Sequence, residues 1–154
     1  MSRAFVRETE AEVIELPDRP ISPHPNFVTL SGLATIDARV HALNAERDAA
    51  VAAEDQATLP GIDRELRYWR QRRDSARVVE PSPDPKVVRF GVSVRLQFDD
   101  GSGRDFRLVG EDEADPAAGL LSWTSPVAKA LIGRRAGDIL QVFGREAEIV
   151  GLRA

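Results

Sequence analysis

The chain contains no cysteine. That excludes a disulfide framework and any thiolate metal site. Histidine is almost as scarce: His24 and His41 are the only two. They fall on different segments, so a histidine-based metal centre is not expected. Long apolar runs are missing too. Nothing approaches the roughly 18 residues of a membrane-spanning helix. Arg7, Glu8, Glu10 and Glu12 interrupt the start of the chain, where a secretory signal needs its apolar centre. A cytoplasmic protein with no membrane partner is the expectation. Aromatic residues are 6% of the 154 residues, few to line a deep pocket once a core is built. Positive charge is not in excess: 21 Lys and Arg stand against 25 Asp and Glu, a net charge of −4. The chain as a whole is therefore not a basic nucleic-acid binder.

What is present is strongly patterned. Apolar residues are 42% and charged residues 30%, the balance of a globular chain with room for one domain or two small ones. Over residues 29–79 the apolar positions recur at steps of three and four. Leu33, Ile36, Val40 and Leu43 form one row; Leu59, Ile62, Leu66 and Trp69 form a second, prolonged by Ala76. Between them lies the acidic bend Ala53-Glu54-Asp55-Gln56. Two rows out and back are the seam of an antiparallel coiled-coil hairpin. Thr29 or Ser31 caps the first helix, which runs to about Ala53, a length of about 33 Å. Thr58 is the expected cap of the second, with Pro60 in its first turn and the helix continuing through Arg77. Such a hairpin holds almost no pocket, so function is expected at its tip, on its charged faces or in its attachment.

The charges are segregated. Over residues 29–55 two arginines face five acids; over 62–77 six arginines face three. The two arms pair with each other or with solvent, and the row Arg64, Arg67 and Arg70 is a candidate contact for RNA or another polyanionic surface.

Residues 1–28 read as an extended, proline-rich lead-in with Pro17, Pro20, Pro23 and Pro25; Phe5-Val6 and Val13-Ile14 leave a short strand or helix open. Prolines at 81, 83 and 85 mark residues 80–86 as a linker. From 87 to 154 the period changes to two: Val92, Val94, Leu96 and Phe98 alternate with polar residues, and Phe106 and Leu108 lie on a return strand. An acidic loop follows over 111–119, then a short strand, a short helix capped by Ser125-Pro126 and ended by Gly133, and a last hairpin turning at Gly144-Arg145. The expected fold is α+β: a coiled-coil hairpin followed by a small antiparallel sheet domain with one short helix.

The run Ser-Pro-Val-Ala-Lys-Ala-Leu-Ile-Gly-Arg-Arg-Ala-Gly-Asp at 125–138 resembles the signature of the bacterial Gre (GreA/GreB) transcript-cleavage and elongation factors. Thr-Leu-Ser-Gly-Leu at 29–33 is similar to the start of their first helix, and Gly-Ile-Asp-Arg-Glu-Leu-Arg-Tyr at 61–68 to their returning helix, in the GreB branch above all. With Phe-Arg-Leu-Val-Gly at 106–110 the likeness covers about 29–152. The resemblance implies that the sheet domain is FKBP-like and docks on RNA polymerase at the rim of its secondary channel, through Thr124, Ser125, Pro126 and their surroundings. It implies that the hairpin enters that channel, where two acids at the family's tip help hold a second Mg²⁺ and a water for hydrolysis of backtracked RNA. Hard oxygen ligands suit Mg²⁺, and paired metals stabilise attacking and leaving oxygens. The factor then needs no cofactor of its own, since the polymerase supplies the rest.

Two departures from the pattern matter. Each arm is about eight residues, or about 12 Å, shorter than the family's, and the tip's Gly-Asp-x-x-Glu-Asn is replaced by adjacent Glu54 and Asp55. Neighbours on a helix point about 100° apart, so two such ligands for one ion require a non-helical bend. Thr124 stands where the family usually has Asp. Short-armed relatives such as Rnk resemble this architecture. The expected function is that of a monomeric, non-enzymatic polymerase-binding regulator at the secondary channel, near nascent RNA, competing with longer factors; the alternative is true cleavage stimulation through Glu54 and Asp55. A prolyl isomerase would need an aromatic pocket from Phe90, Phe98, Phe106, Trp123 and Phe143, residues a core accounts for. Self-association through the hairpin is disfavoured because each helix spends its apolar row on the other.

Overall fold

The computed structural model describes residues 14–154; the expectation for Phe5-Val6 and the Val13 side of Val13-Ile14 lies outside them. Helix α1 spans Leu30–Ala52 and α2 spans Leu59–Ser75. Thr29 caps α1 as expected, its hydroxyl accepting from the Gly32 N–H at 3.0 Å. The two helices pack along the expected rows, with Ile36, Val40, Leu43 and Leu66 almost fully buried and Ile62 and Trp69 packed against them. Leu33, Leu59 and Ala76 are only half-buried.

Two expectations at the second helix are corrected. Thr58 makes no side-chain cap; its hydroxyl is directed at the Asp55 carbonyl, 3.5 Å away. The helix stops at Ser75 rather than Arg77, because Ala76 turns to extended backbone (φ −61°, ψ 133°). Arg77–Val78 (β2) then pairs in parallel with Phe27–Val28 (β1), from the end of the lead-in. The reason is a backbone ladder: the Arg77 N–H donates to Asn26 and the Val79 N–H to Val28. The foot of the hairpin is thus laced shut by main-chain bonds that helical periodicity does not reveal.

The second half is a five-stranded sheet in the order β5-β4-β3-β7-β6, formed by Leu120–Ser122 (β5), Gly103–Val109 (β4), Ser93–Phe98 (β3), Arg145–Arg153 (β7) and Ile139–Val142 (β6). The pairs β3–β4, β3–β7 and β6–β7 are antiparallel, and β5 joins β4 in parallel at the edge. The alternation read along β3 is met: Val94, Leu96 and Phe98 face inward with Phe106, Leu108, Leu140 and Ile149. Helix α3, Pro126–Leu131, closes that core with Ala128 and Leu131. Ser125 caps it through the Ala128 N–H, and Gly133 ends it at φ +87°. The last hairpin turns one residue earlier than expected. Phe143 (φ 54°) and Gly144 (φ 73°) are its two central residues, with Val142 opposite Arg145. Two consecutive positive φ values match the right-handed twist of the flanking strands, and the Phe143 ring rests 5.4 Å from Phe106.

Candidate functional site

The tip is built by leaving helical geometry abruptly. The Ala53 N–H still bonds to Ala49, but Glu54 sits in the left-handed region at φ 54°, and the Asp55 N–H reaches back to the Ala50 carbonyl at 2.9 Å. Glu54 is exposed. The Asp55 carboxylate turns toward the Thr58 N–H, 3.4 Å away, at the start of α2, where the helix dipole favours an anion. The bend is therefore non-helical. Glu54 is exposed and its carboxylate has no hydrogen-bond partner among the described residues, while Asp55 faces its own second helix.

The arginine row is already partly engaged. Arg67 donates to the Asp18 carboxylate at 2.5 Å and to the Leu16 carbonyl at 2.9 Å, with Glu15 3.8 Å away. The Asp18 carboxylate pushes the Arg67 guanidinium further above its ordinary value. Arg70 donates to Asn44 across the arms at 2.6 Å. The Arg64 Nε is buried and finds no hydrogen-bond partner among the described residues. The lead-in is engaged as well: Leu16, Asp18 and Arg19 all contact α2. Arg19 pairs with Glu65 at 2.8 Å and lies 3.7 Å over the Tyr68 ring, and Ser22 donates to Glu111 at 2.8 Å.

At the other end of the arm, Thr124, Ser125 and Pro126 form the turn into α3. The Ser125 hydroxyl is spent on its cap, and those of Thr124 and Ser122 are 2.7 Å apart. Pro126 is exposed. Trp123, just before them, packs on Phe27 (5.1 Å between centroids) and His24 (5.8 Å). This turn therefore sits against the foot of the hairpin, while Glu54 and Asp55 lie about 34 Å away along α1. The structure does not bring the two candidate regions together.

At the foot itself lies a cluster that sequence reasoning missed. Arg72 is 2% exposed and donates to the Asp112 carboxylate at 2.6 Å, with Glu111 at 3.6 Å. It also donates to the Asn26 side-chain oxygen, and the Asn26 amide donates back to the Arg72 carbonyl at 2.7 Å. Tyr68 donates to Asp112 at 2.7 Å; burial first, then that carboxylate, pushes its hydroxyl up to about 12. Glu113 accepts from the backbone N–H of Thr29 and of Gly110, and from the Thr29 hydroxyl. A β-carbon at Gly32 would fall 2.1 Å from the Glu113 carboxyl carbon. Glycine in that first turn therefore lets Glu113 reach the N-terminus of α1. The loop read as merely acidic is a short 3₁₀ turn, Glu111–Glu113, whose carboxylates clamp both helices to the sheet domain. One signal was available: continued by threes and fours from Trp69 to Ala76, the apolar row passes through Arg72. The Glu113–Thr29 contact spans 84 positions and had none.

Comparison with known proteins bears on this architecture. The family description "Transcription elongation factor, GreA/GreB, C-term" matches residues 82–150, which hold the sheet domain. Transcription elongation factor GreB of Yersinia pestis is 34% identical over 136 residues, covering 76% of this chain and 80% of that protein. GreA of Alkalilimnicola ehrlichii is 37% identical over 130 residues, covering 78% and 79%. Among solved structures, the GreA factor homolog Gfh1 of Thermus thermophilus aligns with a TM-score of 0.41 at 20% identity, covering 85% of this chain and 100% of that one. The sequence relatives extend well beyond the sheet domain, and on them the chain belongs to the GreA/GreB family of transcription elongation factors.

Proposed function

We propose that the chain binds RNA polymerase at its secondary channel and regulates elongation by occupying that channel, without hydrolysing RNA itself. The family membership supports a transcription elongation role. The observation that carries the finer reading is the tip. Glu54 stands free at a left-handed residue and Asp55 is turned to the Thr58 N–H, so the two carboxylates are not arranged as a ready pair of metal ligands. In this reading the sheet domain docks through the turn Thr124-Ser125-Pro126 and the exposed surface around it, and the arm reaches into the channel by about 34 Å. Purified protein is expected to bind core polymerase and to displace a full-length Gre factor. No binding at micromolar concentration would overturn the proposal.

Cleavage stimulation is the second reading, and one observation favours it: the bend is non-helical, which removes the 100° divergence of neighbouring helix positions. Glu54 is exposed, and the Asp55 carboxylate is held by a single long hydrogen bond among the described residues. This reading expects Mg²⁺-dependent shortening of RNA in backtracked complexes, lost in Glu54→Ala/Asp55→Ala. Regulation by occupancy expects no shortening with the native tip, and undiminished competition from the double variant.

A further inference from the structure

Beside Arg67 the hairpin carries a polar cleft of about 370 Å³ bordered by Asn44, Arg47, Asp48, Asp63, Arg67 and Arg70. Arg47 is paired with Asp63 at 2.7 Å. Taken alone, this flank presents three guanidiniums against two carboxylates, a net attraction for an anion. The lead-in adds two more carboxylates, Asp18 at 2.5 Å and Glu15 at 3.8 Å from Arg67, and a carbonyl at 2.9 Å. The charge balance around Arg67 is thereby reversed. Carboxylate on one side of a guanidinium and carbonyl on another use the directions that phosphate oxygens would take.

The segment is attached unequally along its length. Its far end is fixed: Asn26 is buried and exchanges hydrogen bonds with Arg72, and Arg19 is stacked on Tyr68. At its near end Leu16 is half-buried, but the two charged side chains remain mostly in water, with Glu15 77% and Asp18 73% exposed. Exposed ion pairs contribute little each. Pro17 and Pro20 keep the segment extended, and lifting residues 14–18 breaks no helix or strand among the described residues.

We propose that residues 14–18 are an autoinhibitory strap. They hold Arg67 as a phosphate would, and must lift before the basic flank of the arm can engage single-stranded RNA. This rests on the reading of the chain as a polymerase-channel factor that meets RNA, but its test does not need the polymerase. Because only the lifted fraction is competent, the apparent dissociation constant is the intrinsic one divided by that fraction.

The test is fluorescence anisotropy of the full chain with a short labelled oligouridylate at low ionic strength. Glu15→Gln/Asp18→Asn is expected to bind about threefold to tenfold tighter than the native chain, as two weak exposed pairs are released. Its plot of log affinity against log salt is expected to steepen by about one released counterion. Glu146→Gln/Glu148→Gln, which removes the same charge from the exposed face of β7 in the sheet domain, is expected to change affinity by less than about twofold. Adding Arg67→Gln to the strap variant is expected to abolish the gain. The strap is overturned if the gain is absent, if the sheet-domain control reproduces it, or if it survives Arg67→Gln. Polymerase competition run on the same samples separates the two ideas. A gain in RNA binding without polymerase binding supports the strap and sinks the channel reading; polymerase binding without the gain does the reverse.

Discussion

Two short runs of acid, one at the foot of the hairpin and one at its tip, are given opposite work by their surroundings. At the foot, Glu111, Asp112 and Glu113 sit on one 3₁₀ turn and face Arg72, Tyr68, Thr29 and Gly110, with Arg72 withdrawn from water. At the tip, Glu54 and Asp55 have only a long bond to Thr58 among the described hydrogen bonds of their side chains. Burial decides the difference. A carboxylate in a low-dielectric setting must be paired, and once paired is costly to disturb; a carboxylate in water costs nothing and stays available. Acids at the foot therefore hold the arm in place, and acids at the tip are free for use.

The sharpest way to break this comparison is to remove the buried partner. Arg72→Leu leaves Asp112 and Glu111 facing each other without a cation, and is expected to cost about 3–5 kcal/mol in denaturant unfolding. Replacing Arg72 by Met together with Asp112 by Leu should recover much of that loss. A cost for Arg72→Leu below about 1 kcal/mol would mean the foot is as tolerant as an ordinary surface.

Gly32→Ala sharpens the same point through its sign. Alanine in an ordinary helix position stabilises by up to about 1 kcal/mol. Here the new methyl meets the Glu113 carboxylate, whose flexible end can move aside only by giving up the Thr29 and Gly110 N–H groups. The expected net effect is a loss of about 1–2 kcal/mol. In a Glu113→Ala background the same substitution should become neutral or stabilising, and a double-mutant cycle reads the difference.

Alkaline pH gives a smaller effect. The Tyr68 hydroxyl is raised to about 12 from an ordinary 10, so between those values the folded chain holds a proton that the unfolded chain has lost. The associated stability is fully present below pH 10 and disappears as pH rises toward 12. Allowing for solvent screening, it is worth on the order of 1 kcal/mol. Tyr68→Phe should remove that part of the slope in pH-dependent unfolding.

The least effect on stability is expected at the tip. Glu54→Ala/Asp55→Ala should stay within about 0.5 kcal/mol of the native chain, whatever it does to transcript cleavage. A larger loss would make the tip acids structural and erase the contrast with the foot.

Much of this molecule is legible from its residues, for identifiable reasons. The seam follows from steps of three and four, the β3 face from alternation, and α3 from Ser125, Pro126 and Gly133, because those signals act within a turn or two of the chain. The end of α2 was misplaced for the complementary reason. Arg77 and Val78 are compatible with a helix, but a parallel ladder with residues some 50 positions earlier claims their backbone. The last turn fell one residue away because Phe143 tolerates a left-handed backbone while packing on Phe106. Of the candidate site residues, the sequence located the acidic bend and the Ser125 turn. It had no means of assigning Arg67 to Asp18, or Glu111, Asp112 and Glu113 to the hairpin.

The sequence by itself determined the family, the two-part α+β architecture and the acidity of the tip, since periodicity, caps and signature residues are local properties. Only the tertiary structure decided which charges are spent and which remain free. That outcome depends on burial and on pairing across 40 to 89 positions, where dielectric and geometry, not residue type, set the worth of a charge.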